Sequence, residues 1–143
     1  MSTVPEQDKV KYSGLKVGYQ FPPARYRLDA AMVAAYLQAV DETNSLFQDS
    51  GIVPPLAVAA FAMRALSQSL SLPAGAIHVS QEFEFINTTT TGDSLTSYAT
   101  VTRKQDRGKM HLLTIDLNVV NQQQKAVLAG KTSFVLPESD NRQ

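Results

Sequence analysis

The chain has 143 residues, 13 Lys plus Arg against 13 Asp plus Glu, a formal net charge of zero and no cysteine. That length suits one domain, and a hydrophobic fraction of 43% with 18% charged residues belongs to a globular chain, not a disordered one. Charge neutrality leaves no electrostatic footprint for nucleic acid or an anionic membrane; the lack of Cys excludes disulfides, thiolate catalysis and Cys-ligated zinc, and two histidines argue against a histidine-built metal site.

Residues 1–13 read as a polar tail without period, and residues 138–143 read the same way. Residues 1–12 hold no apolar signal core. The longest nearly uncharged apolar run, residues 52–63, falls short of the ~20 residues that a membrane-spanning helix needs. The expected compartment is therefore the cytoplasm, and the expected organisation is one domain over residues 14–137.

A strand is expected near residues 21–28, with its prolines placing it at an edge or a start. Asp29 then caps a helix in which Met32, Val33, Tyr36, Leu37 and Val40 recur at helical spacing. The polar stretch Glu42-Thr43-Asn44-Ser45 ends it. A second helix starts at Pro54-Pro55, where proline fits the first turn. From residue 56 to residue 66 every side chain but Arg64 is apolar, so this helix is expected to be buried on nearly all sides. Its alanines permit close approach to a sheet, and Pro73-Ala74-Gly75 ends it.

The remainder reads as strand. Residues 81–86 alternate Glu82 and Glu84 with Phe83 and Phe85; residues 95–102 alternate Leu95, Ala99 and Val101 with Thr96, Tyr98 and Thr100. Residues 110–120 put Leu113, Ile115, Leu117 and Val119 on one face. Residues 126–136 carry Leu128, Phe134 and Leu136 on one face, and Gly130 marks a bulge or a close backbone approach. Asp106-Arg107-Gly108 and residues 121–124 look like hairpin turns. Strands gathered after helices indicate an α+β fold. A curved antiparallel sheet wrapped around the apolar central helix buries residues 56–66 most economically, and that is the shape of a hotdog fold.

Four motifs in order carry a resemblance to MaoC-like enoyl-thioester hydratases and dehydratases. The stretch Tyr36-Leu-Gln-Ala-Val-Asp-Glu-Thr-Asn44-Ser-Leu-Phe47 resembles the hydratase motif. Gly51-Ile-Val-Pro-Pro-Leu-Ala-Val resembles the lead into the central helix. His78-Val-Ser-Gln81-Glu-Phe-Glu-Phe85 and Thr91-Gly92-Asp93-Ser94-Leu95-Thr96 resemble a strand and a turn of the same family. The resemblance covers roughly residues 17–137 and is nearest to N-terminal-type domains, which work beside a second, catalytic hotdog. It implies no metal and no cofactor, with the substrate carried as a coenzyme A or acyl-carrier-protein thioester. A homodimer is implied, or a heteromer with a catalytic MaoC-like subunit, without nucleic acid or membrane.

The departures from the family pattern bear on chemistry. Aligned on Asn44, the family's aspartate falls on Glu42, its glycine on Asp41, its proline on Ser45 and its histidine on Phe47. Hydration of a 2-enoyl thioester needs one group to take a proton from water and another to deliver one to C2. Glu42 offers a carboxylate, with Asp41 beside it, but Phe47 transfers no proton. His78 stands at a family histidine position just before a strand, while His111 reads as a strand-end histidine bonded locally. Asn44, Phe47, His78 and Gln81 are the expected substrate-contacting residues; Glu42 and Asp41 are the candidate acids. Asp41 and Glu42 also read as a solvated turn after a helix. Arg64 reads as a snorkelling stem or a phosphate contact, and Arg103, Lys104, Arg107, Lys109 and Lys131 as surface cations or phosphate contacts.

Three functions stay open on this reading. The chain is the non-catalytic or degenerate half of a hydratase/dehydratase, binding an enoyl- or 3-hydroxyacyl thioester. Or it is an active homodimeric (R)-specific enoyl-CoA hydratase using Glu42, with His78 or a water as the acid. Or it is a self-associated acyl-CoA or lipid-binding module without catalysis.

Overall fold

The computed structural model describes residues 8–41 and 50–138. In chain order they form β1 (Val10–Lys11), a 3-10 turn (Tyr12–Gly14), β2 (Ala24–Arg27), α1 (Ala30–Ala39), β3 (Ile52–Val53) and α2 (Pro55–Ser67). There follow β4 (Leu70–Ser71), β5 (Ile77–Phe85), β6 (Thr89–Thr90), β7 (Ser94–Arg107), β8 (Met110–Val120) and β9 (Ala126–Pro137). A five-stranded sheet runs β2-β7-β8-β9-β5, antiparallel throughout. Two small pairs, β1 with β4 and β3 with β6, flank it.

Period-two patterning sets the sheet's inner face. Leu113, Ile115, Leu117 and Val119 of β8 are all buried, as are Leu95 and Val101 of β7 and Leu128, Phe134 and Leu136 of β9. The β7–β8 hairpin turns at Gly108, whose φ of +60° suits glycine. The next turn is tied by Asn121 Oδ1, which accepts from the amides of Gln123 and Lys125. The short strand β2 follows Pro22-Pro23 and lies at one edge of the sheet, as its prolines require.

Helix α1 begins where Asp29 Oδ1 accepts from the Met32 amide at 2.7 Å. It buries Val33 and Leu37, with Met32 and Tyr36 packed beside them. Val40, placed in the same stripe by its spacing, is exposed because the helix closes at Ala39 and Val40 is its cap. Helix α2 lays Ala57, Val58, Ala59, Phe61, Ala62 and Leu66 into the core. The expectation of burial on nearly all sides is corrected here: one sheet covers one side, so Leu56 is 62% exposed and Ala60 and Arg64 also face outward. The helix stops at Ser67, whose hydroxyl donates to the Arg64 carbonyl. It gives way to β4 before the proline and glycine are reached.

The core has two connected lobes. Residues of α1 and the first part of α2 pack with Leu95, Val119 and Leu128. Leu66 of α2 packs with Leu15, Phe21, Val101, Leu113, Ile115 and Phe134. Residues 8–13, grouped by the sequence with the polar tail, run along the second lobe, where Val10 and Tyr12 are partly packed. The Val10 amide donates to the Ser69 carbonyl at 2.8 Å. Tyr12 Oη donates to Asp106 Oδ1 at 2.8 Å, and the same oxygen lies 2.7 Å from His111 Nδ1. These two hydrogen bonds, the Tyr12 bond first, hold the Asp106 carboxyl below its ordinary range. Burial, then Asp106, pushes the Tyr12 hydroxyl up.

Gly130 is a close approach. A Cβ there would stand 2.8 Å from Phe83 Cδ1 and 3.1 Å from the Glu82 carbonyl oxygen. One neighbour is backbone, so a side-chain shift does not relieve it. Gly130→Ala should lower the unfolding free energy by about 1–3 kcal/mol in urea titration. Gly14→Ala, whose Cβ would meet its nearest atom at 3.4 Å, should stay within about 0.5 kcal/mol of the parent.

Candidate functional site

The second edge of the sheet carries two of the expected contact residues. Nothing among the described residues pairs with the outer edge of β5. In a regular strand His78 and Gln81, three apart, would point to opposite faces. Here the register shifts between His78 and Ser80, so His78 stands opposite Phe134 and Gln81 opposite Thr132. Phe134 and Thr132 share the inner face of β9, so the irregularity at Val79 turns both expected residues inward. Phe83 and Phe85 continue the same face towards Gly130 and Leu128.

His78 is therefore inside β5, not before it. Its Nε2 lies 2.7 Å from Thr132 Oγ1, and its ring stacks on Phe134 with centroids 4.9 Å apart. Thr132 is fully buried. Gln81 Nε2 donates to the Lys131 carbonyl at 3.2 Å, while its Oε1 is shielded and has no hydrogen-bond partner among the described residues. Thr132 and Phe134 went unremarked as functional residues at the sequence level. The signal was a threonine in phase with the apolar positions 128, 134 and 136, where a buried hydroxyl needs a partner.

Asp41 follows the cap of α1 with a φ of +56°, and its amide donates to the Gln38 carbonyl at 3.2 Å. This is the left-handed position that ends many helices and that glycine fills best, Asp and Asn next. The structure gives Asp41 a helix-ending role, exposed to solvent. Glu42, Asn44 and Phe47 lie outside the described residues.

The lead into α2 is pinned from below. Ile52 and Val53 pair with Thr90 and Thr89, and the Thr91 amide donates to the Gly51 carbonyl at 2.8 Å. The Gly92-Asp93 turn is structural: Asp93 Oδ2 accepts from the Thr90 amide and Oδ1 from Gln122 Nε2. Thr89 is buried with a hydroxyl that has no partner among the described residues. His111 sits at the other lobe, bonded to Asp106 and stacked on Tyr12. Three of the five singled-out cations are engaged locally: Arg103 with Gln105, Lys104 with the Leu15 carbonyl, and Lys131 at 3.9 Å from Asp116. Among the described residues no cluster of His, Cys, Asp or Glu could hold a metal, and no helix is long and apolar enough to cross a membrane.

A family model described as "FAS1-like, dehydratase domain region" matches residues 16–129. The chain belongs to the MaoC-like hotdog dehydratase family. Solved structures share its hotdog fold. R-hydratase PhaJ1 from Pseudomonas aeruginosa superposes with a TM-score of 0.77 at 20% identity, over 90% of this chain and 86% of that one. A MaoC-like dehydratase from Rhodospirillum rubrum gives 0.72 at 24% identity, over 90% and 97%. A chain of the ChsH1–ChsH2 complex from Mycobacterium tuberculosis gives 0.70 at 15% identity, over 85% and 98%. No curated protein matches the sequence. Within this MaoC-like chain the inward-turned segment of β5 and the end of α1 are the described parts of the candidate site.

Two substitutions separate a backbone role for Asp41 from an acidic one. Asp41→Gly should be neutral or stabilising by up to about 1 kcal/mol, whereas Asp41→Val should cost about 1–2 kcal/mol, both read from thermal and urea unfolding. A loss of stability in Asp41→Gly would make its carboxylate, not its backbone, the important part. Thr132→Val should lower stability by about 1 kcal/mol and should shift the His78 imidazole resonances in NMR spectra while leaving those of His111 in place.

Proposed function

We propose that this MaoC-like protein binds an acyl thioester, carried on coenzyme A or an acyl carrier protein, as the non-catalytic member of a hydratase/dehydratase assembly. One observation carries the reading: a phenylalanine, Phe47, stands where the family motif has its histidine. The chain has two histidines, and each already has a hydrogen-bond partner. His78 is bonded to Thr132, and His111 is tied to Asp106 on a different lobe. Glu42 by itself can act on one proton, but addition of water across the double bond moves two, one from the water and one onto C2.

Binding needs less than catalysis. The inner face of β5 offers an aromatic surface, Phe83 and Phe85, beside the imidazole of His78. Gln81, on the same face, holds its amide on the Lys131 carbonyl. Asn44 and Phe47 are proposed as further contacts on the strength of the sequence motif alone.

The proposed assembly uses the outer edge of β5. Ile77 is 59% exposed and Val79 50%, and a nine-residue edge strand of this kind invites a partner strand. A second copy would give a homodimer; a related chain with an intact acid–histidine pair would give a heteromer able to turn over. The existence of the ChsH1–ChsH2 complex among the fold neighbours supports the second arrangement.

Purified alone, the protein should bind octanoyl-CoA in calorimetry with micromolar affinity and should not hydrate crotonyl-CoA. Turnover by the isolated chain, abolished in Glu42→Ala, would replace this reading with that of an active homodimeric hydratase. Turnover lost in His78→Ala as well would name the acid.

A further inference from the structure

The buried hydroxyl of Thr132 constrains where the proton of His78 sits. Thr132 lies in β9, between β8 and β5, and is 0% exposed. Opposite it on β8 stands the buried Ile115; opposite it on β5 stands Gln81, whose amide nitrogen is held on the Lys131 carbonyl. Among the described residues the one hydrogen-bond partner of its side chain is His78 Nε2, at 2.7 Å. A hydroxyl carries one proton to donate, and a buried donor left without an acceptor is costly. Were the proton of the imidazole on Nε2, Thr132 would accept it and its own O–H would find no partner. With Nε2 bare, Oγ1–H donates to it and both atoms are satisfied. The neutral His78 ring then carries its proton on Nδ1. Nδ1 has no hydrogen-bond partner among the described residues, and His78 is exposed. Stacking on Phe134, with centroids 4.9 Å and planes 27° apart, holds the plane of the ring.

We propose that Thr132 is a positioning residue: it fixes His78 in the Nδ1–H form, so that His78 offers a donor to a carbonyl oxygen of the bound acyl thioester. The proposal rests on the acyl-thioester reading for the ligand and deepens it, because it names the atom that meets the ligand and what sets that atom's proton. Free histidine in water favours the opposite form, with the proton on Nε2, so the Thr132 bond reverses an ordinary preference. An acyl-coenzyme A presents carbonyl oxygens at its thioester and at the amides of its pantetheine arm, and each accepts from an N–H. Phe83 and Phe85 continue the same face of β5, so apolar surface for an acyl chain lies on the strand that carries the donor.

The test uses the full chain with Thr132→Val, which keeps the shape and removes the hydroxyl, and Thr132→Ser, which keeps the hydroxyl. Long-range proton–nitrogen NMR spectra, recorded with the imidazole neutral, tell the ring nitrogens apart: Nε2 alone lies two bonds from the Cδ2 proton, and a protonated nitrogen resonates well upfield of a bare one. In the parent and in Thr132→Ser the protonated nitrogen of His78 should be Nδ1. In Thr132→Val the proton should move to Nε2, with the His111 signals unmoved throughout. Nε2 protonated in the parent, no change in Thr132→Val, or a Thr132→Ser that behaves like Thr132→Val would each overturn the role of Thr132. Calorimetry then compares octanoyl-CoA with S-octyl-CoA, a thioether that lacks the thioester carbonyl and keeps the amides. Thr132→Val should weaken octanoyl-CoA binding about fivefold, with Thr132→Ser close to the parent. If S-octyl-CoA weakens equally, the carbonyl is an amide of the arm; if it does not weaken, the carbonyl is that of the thioester. An unchanged octanoyl-CoA affinity in Thr132→Val, with the proton moved, would overturn the carbonyl contact. Binding of neither ligand to the parent would end the acyl-thioester reading and the carbonyl contact with it, while the nitrogen signals would still uphold or overturn the setting of His78 by Thr132.

Discussion

Helix α2 against the inner face of the sheet is the contact on which the rest of the molecule depends. Its buried residues reach both lobes: Ala57, Val58, Ala59, Phe61 and Ala62 belong to the first and Leu66 to the second. Each large aliphatic or aromatic side chain sealed in this way contributes roughly 1.5–3 kcal/mol, and α1 and the segment holding Leu15 and Phe21 complete the cover at the two lobes. Small residues make the contact possible. Alanines at 57, 59 and 62 let the helix backbone approach the sheet closely at the first lobe, where Leu95 and Val119 are fully buried. Residues 51–72 hold no Asp or Glu, and Arg64 points outward, so no charge is desolvated in forming it.

Most of the scaffold was readable because its signals are local. Alternation identified β7, β8 and β9, the proline pair put β2 at an edge, and the Asp29 cap fixed the start of α1. What escaped depends on partners that local pattern does not name. An almost wholly apolar helix is expected to be surrounded, but composition does not say how many layers exist to surround it, so the exposure of Leu56 and Ala60 had no sequence signal beyond Arg64 in the same row. The packed run at residues 8–13 was hidden for a related reason: Tyr12 sits among polar neighbours, and its partners Asp106 and His111 are some ninety residues away in sequence.

The candidate site shows the same division. His78 and Gln81 were readable as a motif, but strand periodicity would have sent them to opposite faces. One register shift at Val79 reverses that, and an irregularity of one residue has no mark in a sequence that reads His-Val-Ser-Gln. Asp41 was readable as an acid; its left-handed backbone position after α1 was not. A φ of +56° at that place is one that glycine fills best and aspartate tolerates, so the backbone gives a physical reason for a residue of this kind there.

The two edges of the sheet differ in a way that follows from these particulars. β2 is four residues long, preceded by Pro22 and Pro23, and presents Arg25 and Arg27 outward. Each of these blunts an edge against unwanted pairing. β5 has nine residues, no proline, no lysine, and exposed Ile77, Val79 and Phe85. On β5 the apolar exposure at Ile77 and Val79 lies at one end, while Glu82 and Glu84 are exposed further along the strand. The residues turned inward by the Val79 bulge lie on that same strand, so any chain pairing with β5 would stand beside His78 and Gln81. Under the proposed function that placement makes sense of the missing histidine: a site built at a seam needs its acid and its imidazole somewhere along the seam, and the chain that supplies the binding face is free to lose them.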